Sequence, residues 1–383
     1  MESNRGYQRP LFICDGADRL ICPVPLKLNP YSGCGGGCIY CSMWAQRARW
    51  KSRSQSFNVV APSPIKYIEN IFYKSRGMER QLIDARYPVQ IGHASDPCQP
   101  VERSFRVLEK TLRVLADFEY PTIITTKFPG LLTEEPYIGL IDKFPLAVQC
   151  SISSEDPVML GLLEPNAPTW KRRLAALETL TGAGATCILR LWPYIPDLCG
   201  NLEVLLSAAY DAGVRTVQAN FLKVFNAGRD KDRLRQKLGY DYVNESCLNY
   251  EQRSNFRIPS PAVQEAEIIQ LEEICADIGL EVLTCDDWTG TRAWRSCCGI
   301  DGVKGFKAAP WAYYVNGHRI MDHCTFDEYM RGLDCPWHDE FGLEWEAGKL
   351  ARALPGIAFH AEDKTYSRLF SGLPKYVRQW RYS

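Results

Sequence analysis

Three cysteines crowd one glycine-rich stretch, Asn29-Pro-Tyr-Ser-Gly-Cys-Gly-Gly-Gly-Cys-Ile-Tyr-Cys41, with Cys34, Cys38 and Cys41 spaced by three and then two residues. Thiolates are soft ligands for iron–sulfur clusters and zinc, and ligands this close in sequence must share one tight loop. Gly35, Gly36 and Gly37 let backbone amides approach whatever is bound there. Three thiolates on a four-iron cluster leave one iron open to a further ligand. A structural zinc is the alternative, but it wants four closed ligands, commonly in Cys-x2-Cys pairs. A second group, Cys285, Cys297, Cys298, Cys324 and Cys335 with His323 and His338, lies among Gly299, Gly302 and Gly305. The same ligand argument points to an auxiliary iron–sulfur cluster there, with structural zinc or reduced core thiols as alternatives. Just after the triplet, Trp44, Arg47, Arg49, Trp50, Lys51 and Arg53 interleave cations with indoles. That is the composition of a phosphate- and base-contacting surface, or else of an exposed edge covering the triplet.

These residues need a scaffold. Strand-like runs at Pro88–Ala94, Pro121–Thr126, Leu146–Ile152, Thr186–Trp192 and Val214–Phe221 alternate with helical patterns at Val101–Phe118, Glu134–Lys143, Thr169–Ala183 and Leu202–Ala212. Alternation of this kind predicts βαβ units and a parallel sheet, open or closed as a barrel, with active residues at the carboxyl ends of its strands. Arg229–Lys237 reads as a solvated, mixed-charge helix face. Pro261–Ile278 reads as a helix capped by Ser260, and Glu281–Thr284 as a last strand. The expected organisation is an N-terminal extension over 1–27, an α/β barrel over 28–284, and a small irregular cysteine- and tryptophan-rich C-terminal module over 285–383.

The chain has 383 residues, 46% of them hydrophobic, which is enough for a large core and excludes a disordered or collagen-like chain. No run approaches the roughly 18 apolar residues of a membrane span, and Met1–Pro10 lacks a secretory core, so a cytoplasmic protein is expected. In that compartment 16 cysteines argue for metal or redox chemistry rather than a disulfide framework. The 45 basic and 45 acidic side chains cancel, which gives no general attraction to nucleic acid.

The Cys-x3-Cys-x-aromatic-Cys pattern after a first barrel strand resembles the radical S-adenosylmethionine (radical SAM) superfamily. The resemblance implies a partial (β/α)6 barrel, with Cys34, Cys38 and Cys41 holding a 4Fe–4S cluster and SAM chelating the fourth iron. It further implies reductive cleavage of SAM to a 5′-deoxyadenosyl radical, with Tyr40 near the adenine. Gly92-His-Ala-Ser-Asp-Pro, Ile124-Thr-Thr-Lys127, Gln149-Cys-Ser-Ile-Ser153 and Leu162-Leu-Glu-Pro165 are similar to the spore photoproduct lyase-like branch over about residues 28–200. By that similarity Ser95, Lys127 and Ser151 contact SAM. Hydroxyls and an ammonium at strand ends suit its carboxylate and ribose. Arg190, on a late strand, is a further candidate contact, with an ion pair to a neighbouring helix as its alternative. Asn220 and Lys223 close the next strand.

Two features depart from that branch. The lyase has a cysteine hydrogen donor two residues before its first serine, where this chain has His93, and an imidazole is a poor hydrogen-atom donor. Cys98 is the substitute donor, or else a small buried residue. The second departure is the cysteine-rich tail. The expected function is a biosynthetic radical enzyme taking hydrogen from a small-molecule or nucleoside-type substrate, with a tail cluster for substrate ligation or sulfur insertion. A reductase or flavodoxin-type protein is its expected electron donor. A DNA or RNA lesion lyase is the alternative from the resemblance, and a non-catalytic zinc protein the alternative from the ligands alone.

Overall fold

Alternation along short strands sorts the side chains of this chain onto two faces of one sheet. A computed structural model describes residues 11–13, 22–43, 61–74, 78–226, 230–253, 256–284 and 298–308. In chain order its strands are β1 (Leu11–Ile13), β2 (Leu26–Leu28), β3 (Tyr31–Ser32), β4 (Ala61–Pro62), β5 (Val89–Ile91), β6 (Thr122–Thr126), β7 (Leu146–Ser151), β8 (Thr186–Tyr194), β9 (Thr216–Phe221), β10 (Val224–Phe225), β11 (Tyr250–Arg253), β12 (Phe256–Pro259) and β13 (Glu281–Thr284). The main sheet runs β1-β2-β5-β6-β7-β8-β9-β13. Its last seven strands are parallel, and β1 pairs antiparallel with β2.

Leu26, Leu28, Val89, Ile91, Ile124, Val148, Cys150, Leu189, Leu191 and Val217 face the helices in one continuous apolar core. That core takes in Leu108, Leu112 and Leu115 of the Val107–Asp117 helix and Leu174, Leu177 and Leu180 of the Trp170–Gly182 helix. The opposite face is polar. Lys27 donates to Gln90, and Gln90 donates to Thr125 and Gln149 across four adjacent strands. At the amino ends of the strands this inner face turns apolar, where Val24, Ile123, Ala147, Ile188, Cys298, Ile300 and Phe306 pack together.

The Ser260-capped helix at Pro261–Ile278 and β13 have the bounds read from the sequence. Elsewhere the structure corrects the reading. The stretch 1–27 was expected to lie outside the barrel, yet it supplies β1 and most of β2 to the sheet. The expected helix over Val101–Phe118 is two helices, Glu102–Phe105 and Val107–Asp117, because Arg106 takes a left-handed backbone at φ 52°. Glu134–Lys143 forms no α-helix: its second half is a 3₁₀ turn at Ile138–Lys143, and another 3₁₀ turn, Pro129–Thr133, precedes it. The boundary at 285 is not a clean one either, since 298–308 closes the amino end of the barrel. Among the described residues no helix is long and apolar enough to cross a membrane.

Candidate active site

The cysteine loop leaves the carboxyl end of β2 and is anchored from several directions. The Gly35 N–H donates to Gln99 Oε1 at 2.9 Å, and Gln99 Nε2 donates back to the Gly33 carbonyl. Asn166 Nδ2 donates to the Gly35 carbonyl at 2.8 Å, and the Ile39 N–H to Leu163 O at 3.1 Å. Gly37 needs its positive φ of 68° to make this turn beside Asn166. From the far side Arg233 Nε donates to the Ile39 carbonyl at 3.0 Å, with Arg233 paired to the buried Asp230. The run 229–237 therefore supplies more than a solvated face. Its Asp230–Leu238 helix lays Leu234 against Ile39, Tyr40 and Tyr242 over the loop.

Gly36 lies in a cup between thiols. A Cβ there would sit 3.5 Å from Cys34 Sγ and 3.7 Å from Cys38 Sγ, so the two sulfurs lie within about 7 Å of each other. The Gly36 N–H also points at Cys34 Sγ, 3.4 Å away. Among the described residues no three His, Cys, Asp or Glu converge closely enough for a single metal ion. Thiols fanned around a cup fit a multi-iron cluster, in which each thiolate takes a different iron, better than one zinc. Burial, with Asp96 nearby, pushes the Cys34 thiol up to about 12, and burial likewise raises Cys38 and Cys41. Such thiols give up their protons when a metal takes the proton's place.

Two buried carboxylates organise the surrounding strand ends. Asp96 accepts from the Cys98 N–H, from Thr126 Oγ1 and from the Lys127 N–H, tying the turn after β5 to the end of β6. Glu164, just past the Pro157–Leu163 helix, accepts from Ser153 Oγ at 2.8 Å and from the Tyr40 hydroxyl. It also pairs with Lys127 Nζ at 3.1 Å and with the fully buried Arg173 at 2.6 Å. Burial alone would raise its pKa, but Arg173 and Lys127, with the Tyr40 and Ser153 hydrogen bonds, hold it down at about 2. Lys127 stands 5.5 Å from the Tyr40 ring centroid and favours the thiolate forms of Cys38 and Cys41. A third carboxylate, Glu102, accepts from the N–H groups of Val107, Leu108 and Glu109 at the start of a helix. It also accepts from Tyr137 and Tyr31, so the helix end and the start of the loop share one anchor.

The structure gathers most of the residues expected at the site. Ser95 and Ser151 end up beside the loop, the first donating to the Tyr31 carbonyl at 2.6 Å and the second with its carbonyl held by Arg173. The Arg190 guanidinium stacks 4.0 Å from the Trp192 ring on the inner face. His93 keeps solvent access, yet enclosure by the surrounding protein, and then Lys27 and Arg190, lower its pKa to about 4. Asn220 is buried at the end of β9, and Lys223 stands over the Phe256 ring.

Two further cysteines are placed away from the triplet. Cys98 is packed in the apolar core between strands and helices, near Asp96, Thr126, Glu102 and Cys150, as the small buried residue of the alternative reading. Cys298 is buried at the amino ends of the strands, the opposite end from the triplet, with its carbonyl accepting from Gln149. Cys285, Cys297, Cys324, Cys335, His323 and His338, like Trp44, Arg47, Arg49, Trp50, Lys51 and Arg53, lie outside the described residues. Gln99, Glu102, Asn166, Arg173 and Arg233 escaped the sequence reading because none belongs to a spaced motif, and Asp96 stood within Gly92-His-Ala-Ser-Asp-Pro without a role read for it. Glu164 stood in plain view in Leu162-Leu-Glu-Pro165, without a sign of its burial.

No family model matches the chain. An uncharacterised protein of Methanocaldococcus jannaschii is 25% identical over 177 residues, which are 45% of this chain and 61% of that protein. The chain thus spans about three fifths of that relative's length. Among solved structures, a spore photoproduct lyase variant with bound S-adenosylmethionine and dinucleoside spore photoproduct superposes at a TM-score of 0.50. Identity to it is 15%, over 68% of this chain and 76% of that one. A second variant of the lyase gives 0.50 and 15% over 72% and 79%. At that identity the likeness is one of fold. The mostly parallel sheet with its helices is the fold the chain shares with these lyase structures.

Proposed function

We propose that the chain is a SAM-dependent iron–sulfur enzyme that takes hydrogen from a small-molecule or nucleoside-type substrate in a biosynthetic pathway. The observation that carries this is the pair of thiols, Cys34 and Cys38, on either side of Gly36, with Cys41 near Cys38, on the loop that leaves the carboxyl end of β2 in a parallel sheet. Cys34, Cys38 and Cys41 would hold a 4Fe–4S cluster. When bound, the cluster and SAM supply one-electron cleavage of SAM and a 5′-deoxyadenosyl radical able to abstract hydrogen.

The chain's own groups do the rest. Ser95 Oγ spends its proton on the Tyr31 carbonyl, so it is left as an acceptor for the donor groups of SAM. The Lys127 ammonium offers charge to its carboxylate, and Ser151 ends β7 within the same mouth. His93 is neutral near pH 7 and orients substrate by hydrogen bonding rather than by charge. The burial of Cys98 in the apolar core weighs against its serving as the hydrogen-atom donor of the lesion-lyase alternative. A reductase or flavodoxin-type donor would deliver the electron.

Iron and acid-labile sulfide in anaerobically reconstituted protein test the reading. About four of each per chain are expected, falling in Cys38→Ala together with deoxyadenosine formation. One zinc and no sulfide would overturn it. About eight of each would place an auxiliary cluster on the remaining tail cysteines.

A further inference from the structure

Four donors converge on Glu164, and they are not equivalent. Arg173 is wholly buried and also spends Nε on the Pro168 carbonyl at 2.8 Å and Nη1 on the Ser151 carbonyl at 2.6 Å. It is a fixed structural counter-ion. Lys127 differs: its side chain keeps 15% exposure, its backbone ends β6, and its ammonium stands over Tyr40 beside Cys38 and Cys41. Tyr40 is in turn held by its hydroxyl on the same carboxylate. The Ile39 N–H bond to Leu163 O ties the backbone preceding Glu164 to the cysteine loop, so the carboxylate is fixed relative to the thiols. A four-carbon ammonium stem is flexible, and what holds its tip at one point decides how well it receives an anion.

We propose that Glu164 is a positioning residue: it fixes the Lys127 ammonium and the Tyr40 hydroxyl at one point beside the cysteine loop, so that Lys127 is presented to the carboxylate of SAM. This rests on the reading of the site given above. Glu164 acts through Lys127, so removing either should cost SAM affinity once rather than twice.

The test is equilibrium binding of SAM to the full-length, cluster-loaded protein, held anaerobic and without reductant so that no turnover enters. Glu164→Gln and Lys127→Met are each expected to weaken binding at least tenfold, and the double variant to bind no worse than Lys127→Met alone. Losses that multiply in the double variant, or wild-type affinity in Glu164→Gln, overturn the proposal while leaving the site reading intact. A wild-type protein that carries its iron and sulfide yet binds no SAM overturns both. Glu164→Gln leaves Arg173 buried without its counter-ion. If that variant does not fold, the same cycle is run with Arg173→Met in every member, which removes the buried pair together. Multiplying losses in that background overturn the proposal equally.

Discussion

Glu164 and Asp230 are both buried acids, and their surroundings drive them in opposite directions. Glu164 has two cations and two hydroxyl donors, which outweigh the cost of burial and hold its pKa at about 2, below the ordinary 4.5. Its contribution to stability is therefore present above about pH 4.5 and is lost as pH falls through that value toward 2. The shift corresponds to something on the order of 3 kcal/mol. Asp230 is dominated by burial, with the Phe225 N–H and Arg233 offsetting it only in part, and rises to about 6. It favours the folded state while protonated, and that preference is lost as pH rises from about 4 to 6. Chemical denaturation across this range should show Glu164→Gln less stable than wild type at pH 7 and closing the gap toward pH 3. A constant gap from about pH 7 to 3 would mean that folding does not lower the pKa of Glu164. None of this was legible beforehand. The triplet announced itself by spacing within eight residues, whereas Glu164 draws partners from positions 40, 127, 153 and 173.

At the scale of elements, the cysteine loop is shaped by what its glycines leave open. Gly37 is there for its backbone angle, but Gly36 has no positive φ, and an added Cβ meets only the two sulfurs and the Phe128 ring at ordinary contact distances. Gly36→Ala should therefore fold with the thermal stability of the wild type while losing iron, because the new methyl group stands in the cup. Iron content per chain after reconstitution, set beside the melting midpoint of the metal-free protein, checks this; full iron would place the cluster elsewhere. The elements carrying the loop were readable where one residue pattern dominated. β6 and β13 are rich in β-branched Thr, Ile and Val, β7 is mostly apolar, and the Pro261–Ile278 helix has its cap and N-terminal proline in sequence. The reading failed where a side chain overrode local propensity. Arg106 breaks a periodic 18-residue pattern because Glu102 folds back to cap the second helix. The strand β2 was missed because three residues, with a lysine in the middle, carry too short a pattern to read.

At the largest scale, the described residues form a partial barrel with unlike ends. Its carboxyl end gathers thiols, hydroxyls and charges, and its amino end is closed by a piece of the tail. Cys298, Ile300 and Phe306 pack with Val24, Ile123, Ala147 and Ile188 on the inner face. Gly299 and Gly305 both have positive φ, and a Cβ on Gly305 would collide with the Pro145 ring just before β7. Gln149 carries the connection inward, donating to the Cys298 carbonyl and accepting from Gln90 and Thr125, which reach Lys27. Residues 298–308 thus complete the barrel's own core rather than standing apart as a module. A floor of this kind shares its free energy with the strands it plugs, and unfolding it alone would expose the apolar ends of β6, β7 and β8 to water. Phe306→Ala should then cost about 3 kcal/mol or more, as buried phenylalanines do. The loss should appear in the barrel's single cooperative transition, with the iron bound at the far end unchanged. Denaturant unfolding followed by far-ultraviolet circular dichroism, with iron measured on the native variant, reads both. A separate early transition that leaves the main one unmoved would show the floor to be an independent unit, and loss of iron would show the two ends of the barrel to be coupled.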